Sequence, residues 1–254
     1  MLAGVAGQQF DFILMGCIWA VAMGLAAGNY ACSLVHRLPR GRLLLDKTPY
    51  CGNCGTLLKV KDLFPVISAV LLRHKCRYCG QPFPVSHTWT ELLVALLFVL
   101  TYLQYNFAEQ YVLVVGIGVF LITLAAIEMN ENMVMTSVLM VVLVFGMIFR
   151  TLQDGSIFGF VEAGLYGLML GVLLNFRKIK KVGHIYVPPT IAFLLSAGGI
   201  CVGKANLPTF LVLFAGLWLV CFLLNGFKEP VRLTVPFGFA VMWPVLYPAF
   251  STLP

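Results

Sequence analysis

Charge is what this chain has least of. Lys and Arg together number 17, Asp and Glu 10, and charged residues make up 11% of the 254 residues, where a soluble chain carries about 25%. Hydrophobic residues make up 60%, more than one water-soluble core can hide, which excludes the soluble globular classes. The alternation of apolar and polar residues that marks a transmembrane β-barrel is also missing. What is present instead is a series of long unbroken apolar runs. In lipid only helices and closed barrels satisfy every backbone polar group, so the expected fold is an all-α polytopic membrane bundle. Acid is scarcest of all, with Asp only at Asp11, Asp46, Asp62 and Asp154.

About eight runs approach the ~20 residues that cross a bilayer as a helix. They cover Phe12–Val35, Leu92–Tyr105, Tyr111–Ile127, Val134–Phe149, Ile157–Phe176, Val187–Val202, Pro208–Phe227 and Val235–Phe250. The first has neither a basic stretch before it nor a small-residue cleavage site after it, so it reads as a span and not a signal peptide. The expected division is a first span over residues 1–35, a loop over 36–88 and the remaining bundle over 89–254. Placing that loop in the cytoplasm puts 15 of the 17 Lys and Arg inside, leaving only Arg150 and Lys204 outside. The positive-inside rule therefore sets both termini on the side away from the cytoplasm. The net charge of +7 reports this bias and the bilayer as partner, with no nucleic acid. Trp89, Tyr105, Tyr111 and Trp243 fall near run ends, as interfacial anchors do.

Four of the eight cysteines carry a pattern, Cys51-x2-Cys54-x21-Cys76-x2-Cys79. Two Cys-x2-Cys turns present four thiolates tetrahedrally, which suits a closed structural zinc site. Gly55 and Gly80 follow the second cysteine of each pair and supply the left-handed conformation such a turn needs. Lys47, Lys59, Arg73, Lys75 and Arg77 lie nearby and favour thiolate over thiol. The competing reading is a pair of disulfides or a redox site, which a reducing cytoplasmic loop disfavours. Zinc would supply folding energy to a loop of ~50 residues that has little core of its own. Leu63–Leu72 is too short to span and reads as a buried or interfacial helix seating this lobe. Cys17, Cys32, Cys201 and Cys221 sit in apolar runs and read as small buried hydrophobes.

These features resemble the bacterial prepilin leader peptidase / N-methyltransferase family. Gly28-Asn-Tyr-Ala-Cys-Ser-Leu-Val-His-Arg-Leu-Pro39 is similar to its Gly-Ser-Phe-x-Asn-Val-x-x-x-Arg-x-Pro segment, and the cysteine pairs have its spacing. Phe64-Pro65-Val-Ile-Ser68, Leu72-Arg73-His-Lys-Cys76, Pro82-Phe83, Glu91-Leu92 and Val235-Pro236-Phe237-Gly238 resemble further family segments. The resemblance implies a membrane protein of type IV pilus or type II secretion systems. Such a protein acts on pilin-like precursors, with S-adenosylmethionine as methyl donor.

The family's peptidase half pairs two aspartates near the cytoplasmic face, sharing a proton across the scissile bond. Here Glu128 and Asn130 stand where the first segment has its aspartates, and Met135-Thr136 replaces Pro-Asp. The second segment reads Gly183-His-Ile-Tyr-Val-Pro-Pro-Thr190, without a carboxylate. Between Glu131 and Glu229 the only acids are Asp154 and Glu162. The dyad is missing, and aspartyl peptidase activity is expected to be lost.

Glu91 is the candidate residue of the methyl-transfer half, contacting the new pilin N-terminal amine or the methyl-donor site. Its structural alternative is a first-turn carboxylate that favours the helix dipole. Against the functional reading, Ser86-His87-Thr88 replaces the family's Arg-Tyr-Pro, and Cys32 replaces an Asn. No Gly-rich nucleotide fingerprint is present. Glu128 is the candidate at the degenerate peptidase position, and as a structural alternative it and Glu131 are solvated boundary charges. His184 reads as a headgroup-level loop residue. Three functions remain: an N-methyltransferase without peptidase, a non-catalytic accessory that holds precursors or an assembly platform, and a peptidase that uses Glu128.

Overall fold

The computed structural model describes residues 2–41, 54–57, 75–82, 86–176, 191–224 and 232–246. Among these residues the fold is all-helical. The helices are α1 (Leu2–Arg37), α2 (Ser86–Tyr105), α3 (Glu109–Glu131), α4 (Thr136–Asp154), α5 (Ile157–Phe176), α6 (Ile191–Val202), α7 (Leu207–Leu224) and α8 (Thr234–Leu246). A 3-10 turn, Leu38–Arg40, follows α1. Five helices are long and apolar enough to cross a membrane: α1 from Asp11, α2 from His87, α3, α4 and α7. The rest of the apolar sequence forms shorter described stretches at Phe158–Leu173, Ile191–Val202 and Thr234–Leu246. Leu63–Leu72 and His184 lie outside the described residues.

Four helices stop where the sequence supplies a residue that tolerates the left-handed region. Asn106 (φ 49°) ends α2 and Asn132 (φ 53°) ends α3, while Gly155 (φ 61°) and Gly203 (φ 78°) end α4 and α6. Their N–H groups cap carbonyls four residues back, as in Asn132 N–H to Glu128 O at 3.0 Å and Gly203 N–H to Gly199 O at 2.8 Å. Asparagine and glycine are the residues that pay least for this geometry.

The chain divides into two compact units, Met1–Tyr111 and Val112–Pro254. In the first, α1 packs along α2 through small residues spaced by four: Gly16, Ala20, Gly24 and Gly28. A Cβ on Gly24 would lie 2.6 Å from Ala95 Cα, and one on Gly28 2.7 Å from Glu91 Cα. Lipid offers helices no hydrophobic drive to associate, so close backbone approach across small residues does that work. Tyr111, expected as an interfacial anchor, is instead buried at 4% exposure. Its ring meets Phe98 and Phe107 edge-on, because the turn between α2 and α3 folds it back onto α2. Trp89 and Trp243 are exposed.

The second unit uses the same device between α5 and α6. Gly167 and Gly171 abut the backbone of Leu195 and Ala192, and Gly199 abuts Ala163 O. Its core is an aromatic cluster in which Phe237 of α8 lies edge-on to Phe210 (6.1 Å, 83°) and Phe214 (6.3 Å, 90°) of α7. Cys32 and Cys201 are buried as expected, whereas Cys17 and Cys221 are only half-buried, because α1 and α7 turn much of their surface outward.

Candidate functional site

Three places carry the residues that the sequence singles out. The first is the cysteine lobe. Cys54, Cys76 and Cys79 bring their sulfurs within 4.8 Å of one another; Cys51 lies outside the described residues. Around the second pair, Cys76 N–H donates to Gln81 O at 2.8 Å and Gly80 N–H to Cys76 O at 3.0 Å. Gly55 and Gly80 adopt φ of 67° and 71°, the conformation expected of them from the sequence. A tetrahedral zinc with Zn–S near 2.3 Å holds its sulfurs about 3.8 Å apart, so three thiolates already grouped this closely fit the ion. It would supply folding energy here and no reaction step.

The second place is the polar end of the α1–α2 pair. The four-residue spacing that runs through Gly16, Ala20, Gly24 and Gly28 continues to Cys32 and His36, and these face His87, Thr90 and Glu91. The Cys32 thiol donates to His87 O at 3.4 Å, and Thr90 and Glu91 also act on Cys32. His36 Nε2 and His87 Nε2 are 2.6 Å apart. Gly28 and Glu91, both picked out by the family resemblance, therefore touch through backbone. Cys32 and His87, both departures from its pattern, also touch. Glu91 is not the first-turn carboxylate of the structural alternative: α2 begins by Ser86 and has no acid in its first turn. One turn deeper, the helix dipole contributes little.

The third place is the C-terminal end of α3. Glu128 is 8% exposed and is no solvated boundary charge. It accepts hydrogen bonds from Leu233 N–H at 3.1 Å and Thr234 N–H at 2.9 Å, and a short one from the Thr234 hydroxyl. Leu233 O accepts the first bond of α8, from Phe237 N–H at 3.1 Å. The Glu128 carboxylate thus caps the N-terminus of α8 from another helix, satisfying donors that a helix start always leaves open. Pro236 follows within the first turn, where its missing N–H costs nothing. Glu131 is exposed. Sequence reading missed this role because the donors are 105 and 106 residues away.

Among the described residues, Asp154 and Glu162 are engaged at the opposite end of the helices. Arg150 pairs with Asp154 at 2.9 Å, and Lys204 Nζ donates to Glu162 at 2.7 Å. That hydrogen bond and charge raise the Lys204 ammonium above its usual range. α4 is 19 residues long and separates Asp154 from the Glu131 end by about 28 Å at 1.5 Å per residue.

Residues 22–105 match the family model of the bacterial peptidase A24 N-terminal domain. A prepilin leader peptidase/N-methyltransferase of Myxococcus xanthus is 27% identical over 130 residues, covering 51% of this chain and 37% of that protein. Proteins of the same description are 25% identical over 191 residues in Neisseria gonorrhoeae, covering 66% and 64%, and 22% identical over 236 residues in Burkholderia pseudomallei, covering 79% and 74%. Over the first of these matches the chain spans well under half of its relative's length. No solved structure matches the chain. The α1–α2 unit with its paired cysteines, followed by a helical bundle, is thus similar to the bacterial prepilin leader peptidase/N-methyltransferases.

Proposed function

We propose that the chain is a multi-pass inner-membrane protein that engages pilin-like precursors through its first unit and has lost aspartyl peptidase activity. The observation that carries this reading is the capping by Glu128. A catalytic carboxylate needs an oxygen free to bind and activate water, yet both Glu128 oxygens hold the start of α8. Among the described residues, the acids of α4 and α5, Asp154 and Glu162, are ion-paired at the far helix ends.

In this reading the apolar stretches make eight spans, with the cysteine lobe cytoplasmic and both termini periplasmic. Cys51, Cys54, Cys76 and Cys79 hold a structural zinc. Glu91 supplies the anionic contact for the processed pilin's N-terminal amine during N-methyl transfer from S-adenosylmethionine. Its half-exposed position in the second turn of α2, against Gly28, supports that role over a capping one.

A second reading, a non-catalytic precursor-binding or assembly accessory, is favoured by the Cys32–His87 bond, which occupies backbone where the family pattern differs. One experiment separates these readings. Purified protein in detergent is given an intact pilin-like precursor, and separately a processed pilin with S-adenosylmethionine. Methylation without cleavage is expected, with methylation lost in Glu91→Gln. Binding of the processed pilin without methylation selects the accessory reading. Cleavage of the precursor that Glu128→Gln abolishes overturns the proposal in favour of a peptidase using Glu128.

A further inference from the structure

The register of the first unit leads to a pair of side chains that the proposed function does not use. Gly24 and Gly28 bring α1 against the backbone of α2, and Gly16 makes room for the Tyr102 side chain. The same face continues through Cys32 to His36, and the antiparallel helix presents His87 opposite. The two Nε2 atoms stand 2.6 Å apart, with ring centroids at 4.8 Å and planes 36° from parallel. His36 is exposed and His87 half-buried, at the polar end of the helix pair beside Arg37 and Arg40. In the sequence the pair brackets the segment that carries the cysteines, His36 before it and His87 after it.

Two facing imidazole nitrogens hold a single proton between them, one donating and the other offering a lone pair. Nitrogen lone pairs aimed at a common point are also what a borderline divalent cation takes, and imidazole suits Zn, Cu and Ni. At a metal–nitrogen distance near 2.0–2.1 Å, tetrahedral geometry sets the nitrogens about 3.4 Å apart. From 2.6 Å the rings need to part by less than about 1 Å to reach that spacing. The backbones behind them are fixed by the glycine contacts, so the site is largely pre-formed. Glu91, one turn along α2 from His87, adds negative charge nearby. Arg37 and Arg40 oppose it, and Arg40 Nη1 is held on His36 O at 2.8 Å.

We propose that His36 and His87 form a second, exchangeable transition-metal site, distinct from the cysteine lobe, in which the ion ties the end of α1 to the start of α2. Water completes its coordination. The inference stands on the α1–α2 geometry alone and does not depend on the reading of precursor chemistry.

The test uses the full chain in detergent, loaded with zinc, desalted and titrated with Ni2+ in equilibrium dialysis. Zinc content is measured on the same samples. One Ni2+ per chain beyond the retained zinc is expected. His36→Gln and His87→Gln should each weaken Ni2+ uptake at least tenfold while zinc content stays at the wild-type level, which also shows that the variants are folded. Cys54→Ser should lose zinc and keep Ni2+ uptake. Absence of the Ni2+ equivalent in the wild type, or wild-type uptake in both histidine variants, overturns the proposal. So does displacement of the lobe zinc by Ni2+ with no additional metal bound.

Discussion

Glu91 and Glu128 are the two carboxylates that the family resemblance marks, and the two units treat them in opposite ways. Glu128, at the end of α3, is buried with three donors from α8 on its two oxygens. Glu91, one turn into α2, is half-exposed; its backbone packs on Gly28 while its side chain stays near the polar residues at the helix end. A carboxylate saturated by fixed backbone donors is a structural part, since chemistry there would have to break the contacts that hold α8. A half-exposed carboxylate placed by its backbone holds no other helix start in place. The difference lies in what fixes each residue.

The largest effect expected concerns the cysteine lobe, which precedes α2 and its Glu91 in the chain. Structural zinc in small domains contributes about 10–16 kcal/mol of apparent binding free energy. Cys79→Ser or prolonged chelation should therefore unfold the lobe. Limited proteolysis should then cut between residues 42 and 85 at rates far above wild type, and metal analysis should show zinc lost. Zinc well below one per chain in untreated protein, with the four thiols freely alkylated, would break this side of the comparison.

Next in size is the capping carboxylate. Glu128→Ala strands two buried N–H groups, each worth about 1–3 kcal/mol when unsatisfied. A lowered unfolding midpoint in detergent is expected, with a smaller drop for Glu128→Gln, which keeps an acceptor oxygen. Glu91→Gln should leave the midpoint nearly unchanged. Equal sensitivity at the two positions would erase the distinction between them.

Smaller still is the backbone approach that places Glu91. A Cβ on Gly28 would lie 2.7 Å from Glu91 Cα and 3.2 Å from its carbonyl oxygen. Gly28→Ala must push two backbones apart, and overpacking of this kind costs about 1–3 kcal/mol. It is expected to lower the unfolding midpoint and to weaken the Ni2+ uptake of the histidine pair, because both depend on one interhelix spacing. Unchanged values in both measurements would mean that α1 and α2 are set apart by something other than their glycines. At the bottom of the scale, Lys204→Ala removes an exposed ion pair with Glu162 and should leave the unfolding midpoint within error, since such pairs are screened by water.

Much of the molecule was legible from local pattern. Apolar runs give helices because lipid leaves the backbone no other partner, and Asn106, Asn132, Gly155 and Gly203 end helices through their own tolerance of positive φ. The cysteine spacing, with a glycine after each pair, foretold both the clustering of Cys54, Cys76 and Cys79 and the left-handed turns at Gly55 and Gly80. That Asp occurs only at Asp11, Asp46, Asp62 and Asp154 is a matter of counting. Most of these properties depend on a short spacing, a recurring motif or composition alone, so the order of the sequence suffices to determine them.

What the sequence could not disclose depends on partners far away in the chain. Glu128 reads as a solvated charge until α8, more than a hundred residues later, brings its open N–H groups to it. Tyr111 reads as an anchor until the turn after α2 folds it onto Phe98 and Phe107. The four-residue rhythm from Gly16 to His36 is present in the sequence, but its meaning depends on which helix lies opposite and in what register. Only packing fixes that register, because close contact between two helices is decided by the shapes of both surfaces at once. The meeting of His36 with His87, and of Gly28 with Glu91, was therefore left to the tertiary structure.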